Sequence, residues 1–179
     1  IYRGKLAPSK DALSFFTFVA FFPQLVAGPI ERASHLLPQF HKTYRFNYTA
    51  VKSGVLLMAF GLFKKMVIAD RLAIVVNEFY NNPTDHGGQD LIIATVFFAF
   101  QIYCDFSGYS DIAIGLSRTL GFDLMKNFET PYFATSITDF WRRWHISLSS
   151  WFRDYVYIPL GGSRKSEFRV YLNLFIVFV

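Results

Sequence analysis

Apolar residues along this chain gather into four blocks separated by short polar stretches. The first, Ala12 to Ile30, is rich in Phe and approaches the roughly 20 residues that a bilayer-spanning helix needs. Pro23 and the pair Gly28-Pro29 interrupt it. Proline removes a backbone donor and turns the residue before it away from helix, so a break is predicted within Phe22 to Ile30. The result is a broken or re-entrant segment whose freed backbone groups face protein or a wet cavity. Glu31 to Lys52 mixes His35, Pro38, His41, Lys42 and Arg45 with several aromatic residues. That mixture fits an amphipathic stretch at a membrane interface or a plain surface loop.

The second block, Ser53 to Tyr80, carries Lys64-Lys65 and Asp70-Arg71. These charges divide it into two apolar arms, and the lysines are expected to snorkel toward headgroups or to mark a helix end. A turn-rich loop, Asn81 to Gly88, follows. The third block starts at Leu91 and continues past Asp105 and Asp111 to Leu116. Carboxylates at bilayer depth face a bundle interior or water. Asp111, Gly115 and Arg118 share one helical face, which makes Asp111 and Arg118 a candidate pair tying helices together. A fourth block begins near Phe168 and runs to the last residue. Together the blocks predict an all-α, polytopic helical membrane fold with broken and interfacial helices and about three or four spans. The start at Ile1 and the end inside an apolar run make residues 1–179 an expected internal part of one membrane domain, cut at both ends.

Composition agrees. The chain is 53% hydrophobic and 20% aromatic with only 17% charged residues, more apolar mass than a soluble domain ordinarily carries. Its net charge of +5 is scattered between apolar blocks, as in membrane-protein loops, so no nucleic-acid partner is expected. A single cysteine, Cys104, leaves no intrachain disulfide and no paired-cysteine zinc pattern. The four histidines lack ligand spacing, and no metal site is expected.

One polar island carries candidate chemistry. Thr138 to Tyr155 holds Trp141, Trp144 and Trp151, Arg142, Arg143 and Arg153, Asp139, Asp154 and His145. Read as one helix from Ser136 to Tyr155, capped by Thr138 or Asp139, it places His145 between an aromatic stripe and a cationic strip. Arg142 and Arg153 then lie on the His145 side and Arg143 opposite. An imidazole so placed can act as a general base near neutral pH, with neighbouring arginines keeping it neutral by like-charge repulsion. Arg142 and Arg153 are candidates for binding an anionic donor or an acidic polysaccharide. A structural histidine between interfacial tryptophans fits the same residues. The loop Tyr157 to Lys165 breaks the helix, and its Gly161-Gly162 lacks the frame of a phosphate loop.

Three stretches, Phe22-Pro23-Gln24-Leu25-Val26-Ala27-Gly28-Pro29-Ile30, Gln101 to Ala113, and Phe140 to Ser149 continuing to Tyr157-Ile158-Pro159-Leu160-Gly161-Gly162, resemble hallmarks of the membrane-bound O-acyltransferase (MBOAT) family. Their order and spacing are similar to the bacterial branch of alginate O-acetyltransferases and teichoic-acid D-alanyltransferases, and the last stretch looks more like the former. The resemblance implies acyl transfer across a multi-pass bacterial inner membrane, through a tunnel or funnel in a helical core. His145 matches the first of two active-site positions, the second being a downstream histidine outside these residues, so this piece alone is expected to be inactive. No tightly bound cofactor is implied. The acyl donor, acetyl-CoA or an acyl-carrier protein, would be a substrate, and the partners would be the bilayer and extracytoplasmic polysaccharide-acetylation proteins. The expected product is an O-acetylated exported polysaccharide such as alginate. The alternatives are D-alanyl transfer to a cell-wall polymer, a membrane transporter using Asp111, Arg118 and His145 as a polar relay, or a non-catalytic scaffold for polysaccharide export.

Overall fold

A computed structural model describes residues 11–25 and 28–178. Among them the secondary structure is helical throughout, with no strand. Two compact units are distinguished, residues 1–124 and 125–179.

In the first unit, α1 (Ala12–Ala20) is capped by Asp11, whose carboxylate accepts from the Leu13 N–H at 3.0 Å and from the Ser14 hydroxyl. The helix stops where the prolines demand it. Phe21 and Leu25 are extended and bracket a short 3-10 turn, Phe22–Gln24, and Gly28 to Ile30 are not helical. The expected break is therefore present in the described residues; Val26 and Ala27 lie outside them. α2 (Ala33–Phe40) is the amphipathic piece of the next stretch, burying Leu36 and Gln39. Gln39 is tied to the chain beyond the long helix: its amide donates to Asp123 O at 2.9 Å, and Asp123 N–H donates back to its Oε1 at 2.8 Å. Phe21, Phe40 and Phe122 meet edge-to-face at 5.1–5.6 Å above Leu36, Ile114 and Leu124.

α3 (Tyr48–Leu62) passes through a π-helical segment, Phe63–Ala69, into α4 (Asp70–Asn81). The charges in this block do not end the helix, contrary to the division into two arms. This rod lies antiparallel to α5 (Gly88–Thr119), whose 32 residues make it the one described helix long and apolar enough to cross a membrane. Contact is made by glycines at heptad spacing. A Cβ on Gly54 would sit 2.5 Å from Gly115 O, and one on Gly61 would sit 2.5 Å from Gly108 O, so only glycine lets the backbones approach this closely. The π segment turns Lys64 inward, where its side chain is 10% exposed, instead of snorkelling outward.

In the second unit, α6 (Ile137–Arg143), α7 (Ile146–Phe152), a π turn (Arg153–Tyr157) and α8 (Glu167–Phe178) follow an extended lead-in. The single helix expected from Ser136 to Tyr155 is not formed: it breaks at Trp144-His145 and widens at Arg153. Ser136, not Thr138 or Asp139, caps α6 by accepting from Asp139 N–H at 3.1 Å. The Tyr157 to Lys165 loop is tight as expected, with positive φ at Gly161 and Gly162. The buried Asn173 amide of α8 donates to Leu160 O and Gly162 O at 3.3 and 3.4 Å.

Candidate active site

His145 occupies the break between α6 and α7. Trp144 is extended, and His145 is left-handed at φ 44 and ψ 54. Outside glycine that region is sparsely used, histidine among the more tolerant residues; it costs about 1–3 kcal/mol and persists only where neighbours impose it. The neighbour here is the segment Asn127–Glu129, which runs antiparallel to the break. Glu129 N–H donates to Arg143 O, and Ile146 N–H donates to Asn127 O, each at 2.9 Å. The fully buried Asn127 side chain then accepts from Ser147 Oγ at 2.9 Å and from Ser147 N–H at 3.4 Å. Asn127 thus supplies the N-terminal cap that His145 does not make for α7.

The imidazole is half-buried. The Phe128 ring lies nearly parallel to it at 6.4 Å, and Trp144 meets Phe128 edge-on at 5.1 Å. Burial pushes the His145 pKa below its ordinary 6.5. The direction is the expected one, but its cause is desolvation and not repulsion by arginines. At neutral pH the ring is neutral and able to accept a proton.

The break separates the arginines that one continuous helix would have aligned. Arg142 is exposed near the end of α6, and Arg153 opens the π turn after α7. Arg143 is held by Asp139, its Nε 3.0 Å from Oδ2, and that hydrogen bond keeps the Asp139 carboxyl below the usual carboxylate range. Arg153 Nε reaches the adjacent Asp154 at 2.9 Å, in an exposed pair of the kind that contributes little. Asn127 and Phe128 lie 18 and 17 positions before His145, outside the Thr138 to Tyr155 island, with no local pattern to mark them.

In the first unit, Asp111 does not pair with Arg118. Its carboxylate is 2.6 Å from Lys64 Nζ, which also donates to the buried Ser107 hydroxyl at 3.0 Å. Lys65 bridges Asp70 and Asp105 at 2.8 and 2.6 Å. Arg118 instead lines a small cavity at the end of α5.

Comparison with known proteins identifies the family. A family model described as MBOAT, membrane-bound O-acyltransferase family, matches residues 6–179. A probable alginate O-acetylase AlgI of Pseudomonas putida is 45% identical over 98% of this chain and 36% of its own length. A peptidoglycan O-acetyltransferase of Helicobacter pylori is 44% identical over 93% of the chain and 32% of its own length. A teichoic acid D-alanyltransferase of Bacillus subtilis is 31% identical over 79% of the chain and 36% of its own length. The chain thus spans about a third of the length of these relatives.

Proposed function

The chain belongs to the membrane-bound O-acyltransferase family, and on that premise we propose that the protein it represents is a membrane O-acyltransferase acetylating hydroxyls of an exported polysaccharide, with His145 as general base. The observation that carries this reading is the half-buried imidazole, its pKa lowered by burial, held in a left-handed break by a second backbone segment. An exposed structural histidine needs no such support.

In the proposed reaction His145 takes the proton of the acceptor hydroxyl as its oxygen attacks the acyl carbonyl. The carbon–sulfur bond of a thioester donor, acetyl-CoA or an acyl-carrier protein, breaks, and the imidazolium returns the proton to the leaving thiol. Arg142 and Arg153 bind anionic groups of donor or acceptor, Arg142 being exposed and Arg153 only lightly held by Asp154. Acetyl transfer is favoured over D-alanyl transfer by identities of 45% and 44% against 31%. Alginate and peptidoglycan relatives are almost equally similar, so the acceptor is proposed as a cell-surface glycan hydroxyl, with alginate its leading case. Extracytoplasmic acetylation proteins are the proposed downstream partners.

We propose a multi-pass inner-membrane location, and the distribution of polarity supports placement in a bilayer. Ser107, Ser110 and Ser117 of α5 are at most 1% exposed, whereas Ile92 is 67% and Leu56 of α3 61% exposed. Small polar residues inside and large apolar ones outside is the arrangement lipid favours. We therefore take α5 and the α3–π–α4 rod as adjacent spans. The decisive test is acetylation of polysaccharide in cells carrying full-length His145→Ala at unchanged abundance; retained acetylation would remove His145 from the chemistry.

A further inference from the structure

Where α5 ends, a cavity of about 160 Å³ opens between its last turn and the start of α3. Arg118 enters it from α5 and Arg45 from the loop before α3, and no carboxylate lines it. Neither guanidinium has an ion pair or hydrogen bond among the described residues, in contrast to Lys64, Lys65, Arg143 and Arg153. Asn47 and Ala50, at the start of the 15-residue α3, complete the same wall; the Asn47 side chain already accepts from Ala50 N–H at 3.1 Å, so the two guanidiniums are the groups left to meet an anion. The opposing carbonyl end of α5 is closed on itself: Leu116, Ser117 and Arg118 carbonyls accept from Leu120, Phe122 and Gly121 N–H groups. Asp123 lines a neighbouring cavity, where it faces His35 at 3.8 Å and shares the lining with Lys42. Phe46 and Tyr48 beside Arg45 are 82% and 69% exposed.

We propose that Arg45 and Arg118 form a binding site for the phosphate of an anionic phospholipid headgroup. Two unpaired guanidiniums in one acid-free cavity match a phosphate diester, which accepts bidentate bonds from arginine. Lipid is the source because of position. Arg118 lies in the last turn of the helix long enough to span, which puts the cavity at headgroup depth, and Phe46 and Tyr48 are the aromatic residues that settle at that boundary. The proposal rests on the reading of α5 as a membrane span. It is independent of His145 and of the identity of the acceptor.

The test uses the full-length protein in nanodiscs of phosphatidylcholine doped with phosphatidylglycerol, with native mass spectrometry reading the lipids that remain bound after release. The wild type should retain phosphatidylglycerol selectively. Arg45→Gln and Arg118→Gln should each lower that retention about tenfold, as expected for loss of one charge-assisted contact, while Arg71→Gln should not. Equal retention by wild type and both variants, or equal retention of phosphatidylcholine, overturns the proposal. A second arm titrates inorganic phosphate into phosphatidylcholine-only discs; stabilisation there without selectivity for phosphatidylglycerol would make the site one for a soluble phosphate and overturn the lipid assignment. If Arg118→Gln fails to fold, Arg45→Gln alone decides, because its side chain lies on an exposed loop. Failure of the wild type to enter nanodiscs would overturn the span reading, and the headgroup site with it.

Discussion

Lys64 Nζ lies 2.6 Å from Asp111 Oδ2, and this contact joins the π-helical segment of one rod to the C-terminal third of its antiparallel neighbour. The side chains are 10% and 22% exposed, so each charge depends on the other. Lys64→Met should leave the Asp111 carboxylate stranded and cost about 3–5 kcal/mol, whereas Lys64→Met with Asp111→Leu should recover most of the loss. Thermal unfolding of the full-length protein in detergent measures both. A single variant as stable as the wild type would show that the pair is not needed.

The glycine contacts predict a steric result. Gly61→Ala places a methyl 2.5 Å from the Gly108 carbonyl, a backbone atom that no rotamer can move. Overpacking of about 1–3 kcal/mol is expected. Gly88→Ala, where a Cβ meets nothing within 4 Å, is the control and should be tolerated in a parallel stability measurement.

His145→Ala should lower acyl transfer by about 10²–10⁴-fold, and His145→Gln should not restore it, since an amide is polar but not basic. The pH dependence has a definite sign. Burial lowers the folded-state pKa of His145 below 6.5, so the unfolded chain binds more protons in that region. Stability contributed by keeping the ring neutral is present above pH 6.5 and is lost as pH falls from there through the folded pKa. Denaturant midpoints at several pH values should show this acid loss in wild type and its reduction in His145→Gln.

Backbone conformation at the same position can be separated from chemistry. At φ 44, glycine is at ease and alanine is not, so His145→Gly should be about 1 kcal/mol more stable than His145→Ala although both lack activity. Asn127→Ala should destabilise by about 1 kcal/mol or more through loss of the α7 cap. Equal stability of the two His145 variants would mean that the left-handed turn is not kept in solution.

Three arginines should divide by what holds them. Arg143→Ala frees Asp139 and should lower stability with little effect on KM. Arg142→Ala and Arg153→Ala should raise KM for the anionic substrate, and lysine should not fully restore it, because an ammonium cannot make the bidentate contact. Kinetics normalised to folded protein distinguish these cases; identical effects at all three positions would exclude a substrate-binding role for Arg142 and Arg153.

Much of the local structure was determined by the sequence itself. Pro23 cannot donate within a helix, and the break after Ala20 follows from that alone. The long apolar run of α5, the loop at Gly161-Gly162 and the candidacy of His145 are properties of residue type and spacing. Tertiary structure decided which charges meet and where the histidine helix breaks. Lys64 pairs with Asp111 because the π segment and the Gly54–Gly115 and Gly61–Gly108 approaches bring two distant helices together, and helical periodicity sees only one helix at a time. The left-handed turn at His145 is imposed by Asn127 and Glu129, whose hydrogen bonds come from outside the segment. Local propensity favours continuing the helix through Trp144, and only bonds from another part of the chain can offset that preference.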